Sequence, residues 1–132
     1  KQHHETRIRT VPADATLYGV MPHMHLLGRS MKAQVEFPDG STKPLVWVDD
    51  WDFNWQGFYN TTEPVKLNVL DQLKVSCRFD NSEKNPRNPS NPLKVVGWGE
   101  GTEDEMCIAF LGVTFDNEDI INSIRFSKKR IN

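Results

Sequence analysis

Residues 30–37, SMKAQVEF, alternate polar and apolar side chains and then run into Pro38-Asp39-Gly40. A period of two is the spacing of a strand with one buried face, and the turn leads into a second run, KPLVWV at residues 43–48, so the pair reads as a β-hairpin. The alternation returns in residues 73–79, LKVSCRF, with Val75, Cys77 and Phe79 on one face and Lys74, Ser76 and Arg78 on the other. Glycine and proline, at 8 each, interrupt almost every window long enough for a helix. Residues 106–115 are nearly continuous in apolar residues, which predicts a central strand covered on both sides, with Met106, Ile108 and Phe110 on one side and Cys107, Ala109, Leu111 and Val113 on the other. About eight or nine short strands at this spacing predict an all-β fold, an antiparallel β-sandwich of the jelly-roll type.

A chain of 132 residues, 37% of them hydrophobic, is long enough to bury one core. One domain is expected over residues 15–127, with residues 1–14 as an N-terminal tail or linker that includes His3 and His4, and residues 128–132 as a C-terminal tail. The polar segment at residues 80–92, with three Asn-Pro steps, reads as a long loop. The 16 basic and 18 acidic residues are interspersed, so no nucleic-acid face or polybasic membrane patch is expected. No apolar run reaches the roughly 20 residues needed to span a bilayer.

The candidate chemistry lies in MPHMHLLGRSM, residues 21–31. On an extended chain His23 and His25 project to one face with β-carbons roughly 6.5–7 Å apart, while Met24 faces away. Two imidazoles at that spacing can share an ion, but the same pattern also occurs as ordinary strand histidines. Met106 adds a thioether, and two imidazoles with one thioether make a soft, incomplete donor set suited to Cu(I), with one position open to a small molecule. Cys77 and Cys107 are the only cysteines. Their spacing fits either a disulfide in an oxidising compartment or two buried thiols.

In order and spacing these residues resemble the C-terminal, catalytic-copper domain of the copper type II, ascorbate-dependent monooxygenases, the family of peptidylglycine α-hydroxylating monooxygenase and dopamine β-monooxygenase. The likeness rests on HMHLLG at residues 23–28 and DEMC at residues 104–107, with QGFY at residues 56–59 and the strand ending near Cys77 between them. It implies a jelly roll, a copper held by His23, His25 and Met106, and a disulfide between Cys77 and Cys107. It further implies hydroxylation of a substrate C–H bond with O2, using electrons from a partner domain or protein and ascorbate or another reductant, in a periplasmic or secreted setting. The family's peptide-hydroxylating branch has an arginine, an asparagine and a tyrosine where this chain has Met21, Ile108 and Phe110, which implies a more apolar substrate pocket that Gln56 and Tyr59 would adjoin.

The run WVDDWDFNWQGFY at residues 47–59 holds three tryptophans. Alternation would place Trp47, Asp49 and Trp51 on one face, as a groove or as a strand closing the sandwich. Two further classes therefore stay open: a non-catalytic Cu(I) module for storage, delivery or sensing, and a jelly-roll recognition module in which the two histidines are incidental.

Overall fold

The computed structural model describes residues 1–117; the expected tail at 128–132 and the expected domain end at 127 lie outside the described residues. The strands are β1 (Gln2–Thr10), β2 (Ala15–Met24), β3 (Gly28–Glu36), β4 (Thr42–Val48), β5 (Tyr59–Leu67), β6 (Gln72–Asp80) and β7 (Cys107–Phe115). Every pairing between these strands is antiparallel, and they form a four-stranded sheet ordered β1-β6-β3-β4 and a three-stranded sheet ordered β5-β2-β7. The pairings β3–β4, β2–β5 and β1–β6 are nested one inside the next and alternate between the sheets, which is the winding of a jelly roll. Seven strands stand among the described residues rather than eight or nine.

The alternation in β3 does what its pattern requires. Met31, Ala33 and Val35 are buried, Lys32 is exposed, and β3 pairs with β4 across the turn at Pro38–Gly40. In β6, Cys77 and Phe79 are buried and Val75 packs beside them. Facing side chains from the two sheets form two clusters. One is built on Leu17, Val20, Val35 and Leu67, and the other on Met24, Leu27, Met31, Trp51, Phe79 and the two cysteines. Cys77 and Cys107 are joined by a disulfide that ties β6 of one sheet to β7 of the other.

Three expectations change. β7 is an outer strand among the described residues, because β2, with pairs on both sides, takes the centre. Its apolar run is only half-buried, although Cys107, Ala109, Leu111 and Val113 do turn to the core. Residues 2–10 are not a tail but β1, in unbroken register with β6 from Gln2↔Asp80 to Thr10↔Gln72. Trp47 and Trp51 part company because β4 ends at Val48: Trp47 is exposed under Lys32, whereas Trp51 is buried in the second cluster.

Candidate metal centre

β2 carries the first histidine to the end of the three-stranded sheet. Its pairing to β5 stops at Val20↔Tyr59, while its pairing to β7 continues through Pro22↔Ala109, His23↔Ile108 and Met24↔Cys107. Pro22 therefore sits where β2 is paired on one side only, a place that tolerates the missing N–H. Met24 is fully buried, and alternation sends His23 and His25 the other way. The chain then turns: Gly28 N–H donates to the His25 carbonyl at 3.0 Å. A β-carbon on Gly28 would stand 2.8 Å from Met24 Cβ, so the glycine is required for the two strands to approach.

The two imidazoles meet edge to face with centroids 5.1 Å apart. Two imidazoles bound to one ion at about 2.0–2.1 Å and a near-tetrahedral angle have centroids roughly 5 Å apart, so this pair fits a shared metal. Tautomers strengthen the fit. His25 Nδ1 lies 3.2 Å from the Asp104 backbone oxygen, which can only accept, so Nδ1 carries the proton. His23 Nδ1 lies 2.6 Å from Gln56 Oε1. The orientation of that amide is set by its own nitrogen, which donates to the Phe53 carbonyl at 2.9 Å, so Oε1 is the acceptor and His23 Nδ1 again the donor. Both rings thus keep Nε2 as the lone-pair nitrogen, oriented by partners of the kind that accompany metal-bound histidine. His25 is buried and faces Phe53 at 6.4 Å; His23 is half-buried and faces Phe110 at 6.2 Å.

Met106 precedes β7 and is buried. The ladder that pairs residue 23 with 108 and 24 with 107 carries residue 106 opposite His25 by continuation, on the face that the histidines share. Cys107, one residue on, faces the core and is held in the disulfide. Joined to the two imidazoles, the soft sulfur of Met106 would complete a donor set that copper suits. Among the described residues there is no group of three or more His, Cys, Asp or Glu side chains that could hold a metal.

The remaining expected residues divide. Met21 lies opposite Phe110 and Ile108 opposite His23, on the outer face of the sheet; Phe110 is 48% exposed. Gln56 is bonded to a histidine, and Tyr59 opens β5 opposite Val20, half-exposed. The backbone oxygen that orients His25 carried no usable signal in the sequence. Asp104 acts on His25 through its backbone oxygen while its carboxylate accepts from Gly101 N–H at 3.1 Å, and Phe58 lies over a notch formed by Gly19 and its ladder partner Gly112. Glu105 is buried, and burial pushes its carboxyl above the ordinary value, opposed by the charge and hydrogen bond of His3.

The chain belongs to the family of the copper type II ascorbate-dependent monooxygenases, C-terminal domain, which it matches over residues 2–117. That span takes in β1 as well as both histidines and Met106. Among curated proteins it is similar to DBH-like monooxygenase protein 1 of Mus musculus, 28% identical over 101 residues, 76% of this chain and 15% of that protein. The same protein of Gallus gallus is 26% identical over 101 residues, 76% of this chain and 15% of its own length. DBH-like monooxygenase protein 2 of Mus musculus is 27% identical over 99 residues, 74% of this chain and 14% of its own length. The chain thus spans about a seventh of the length of these relatives.

Proposed function

We propose that this chain is the O2-activating copper domain of a reductant-dependent monooxygenase that hydroxylates a C–H bond of an apolar substrate, with His23, His25 and Met106 as ligands of one copper. The observation that carries the reading is the pair of Nδ1 hydrogen bonds, which leaves Nε2 free on two rings 5.1 Å apart. Copper held there would supply one-electron redox chemistry and O2 activation. The protein's part is to orient. The Asp104 carbonyl and Gln56 fix the ring planes, and the disulfide at Cys107 holds the backbone next to Met106. Met21, Ile108 and Phe110 beside His23 offer apolar contact and no charge, which supports an apolar substrate. The relatives are named as monooxygenases and are far longer than this chain, which supports electron delivery from a partner domain or protein, with ascorbate or another reductant as the source. The disulfide supports an extracytoplasmic setting.

The test is copper-loaded protein with ascorbate, 18O2, an electron-donating partner domain and a panel of small aromatic and aliphatic C–H substrates. Label in a hydroxylated product, lost in His25→Ala and in Met106→Ala, is the expected result. Copper binding without label transfer to any substrate would leave a storage, delivery or sensing module and overturn the enzymatic reading.

A further inference from the structure

The segment that presents Met106 is anchored by a residue of β1, the outer strand of the other sheet. Glu105 is tied through its backbone to the preceding loop, its N–H donating to the Gly97 carbonyl at 3.0 Å and its carbonyl accepting from Gly99 N–H at 3.2 Å. Its side chain crosses between the sheets, where Oε2 lies 3.0 Å from His3 Nε2 on β1. His3 is itself held, its ring stacked on Phe79 with centroids 5.2 Å apart and planes 25° from parallel. Phe79 belongs to the same buried cluster as Cys107.

Burying a carboxyl group is costly without a polar partner, and the His3 ring supplies one. Consecutive residues of an extended chain face opposite ways, so anchoring Glu105 toward β1 turns Met106 toward β2 and its histidines. The Asp104 carbonyl that orients His25 is on the other side of the same anchor.

We propose that His3, acting through Glu105, is a positioning residue for the metal centre. The contact sets the facing of residues 105–106, and with it the place of the Met106 sulfur. The proposal rests on the reading of His23, His25 and Met106 as copper ligands.

The experiment measures Cu(I) and Cu(II) affinities by chelator competition on the whole chain, with X-ray absorption to detect copper–sulfur scattering. The proteins are the wild type, His3→Leu, His3→Gln, Met106→Ala and the His3→Leu/Met106→Ala double variant. Leucine still covers Phe79 but offers no hydrogen bond to Glu105, whereas glutamine keeps a donor. His3→Leu is expected to weaken Cu(I) about tenfold, at the low end for loss of an outer partner of a metal ligand, and to diminish the sulfur signal, with Cu(II) changed less than about twofold. His3→Gln should recover most of the loss, and His3→Leu should cost no further Cu(I) affinity once Met106 is gone. A partly unfolded protein would lose both oxidation states together. Unchanged Cu(I) affinity in His3→Leu, equal losses for Cu(I) and Cu(II), or an undiminished effect in the Met106→Ala background overturns the positioning role and spares the ligand assignment. Wild-type Cu(I) affinity and sulfur signal retained in Met106→Ala overturns the ligand assignment and the positioning role with it.

Discussion

Reduction of the Cys77–Cys107 bond is the perturbation whose size the structure defines best. The two residues are 30 apart in sequence, so on the chain-entropy account the cross-link removes about 12 cal/mol/K from the unfolded ensemble, or roughly 3.6 kcal/mol at 25 °C. For 132 residues, at roughly 2.1 cal/mol/K each, the unfolding entropy is about 0.28 kcal/mol/K, so the loss should lower the melting temperature by about 13 °C. Both cysteines are buried in the cluster with Trp51 and Phe79, and reduction leaves both sulfurs in place, so the shift reports the cross-link and not a cavity. The assay is thermal unfolding followed by circular dichroism with and without a phosphine reductant, beside a Cys77→Ala/Cys107→Ala variant. That variant should melt at or below the reduced wild type and ignore the reductant. A wild-type shift under about 3 °C, or an equal shift in the alanine variant, would refute the reasoning.

Gln56→Ala should weaken Cu(I) and Cu(II) binding alike, about tenfold, because His23 loses the acceptor that orients it while exposure lets water replace part of the bond; chelator competition reads this. Gly19→Ala would put a β-carbon 2.3 Å from the Phe58 ring and 2.8 Å from the Tyr59 carbonyl oxygen, so it should destabilise by about 1–3 kcal/mol in urea unfolding. Adding Phe58→Ala should recover part of that loss, since only the ring contact is relieved. Asp80 is pushed up by burial, but hydrogen bonds from Ser82 and Gln2, with the charge of Arg29, outweigh this and hold it below the ordinary value. A depressed acid contributes stability above its unfolded pKa of about 3.9 and loses it as pH falls through the lower folded value, so Asp80→Asn should flatten the acid limb of a stability–pH curve below about pH 4.

Much of the sandwich was legible because alternation is written residue by residue. Ala33, Val35, Cys77 and Phe79 declared their faces, and Met24 declared that it turns from the histidines flanking it. β1 was not legible: QHHETRIRT lacks an apolar face, since an outer strand gains order from its ladder with β6 rather than from burying its own side chains. The apolar run of β7 suggested a central strand because local composition cannot say which neighbour a strand pairs with. The tryptophan run failed for a related reason, since alternation holds only as far as the strand does, and β4 stops three residues before Trp51. At the site, the histidine spacing was legible and the partners were not. A backbone carbonyl has no letter in the sequence, and Gln56 meets His23 across 33 residues through a loop that no period describes.

The central claim, that His23, His25 and Met106 hold one copper, is tested most directly by copper titration of the wild type beside the His23→Ala/His25→Ala and Met106→Ala variants, with Cu(I) and Cu(II) measured separately. One copper per wild-type chain, none in the histidine variant, and Cu(I) weakened more than Cu(II) in the methionine variant is the predicted result. Equal stoichiometry in all three proteins would contradict it.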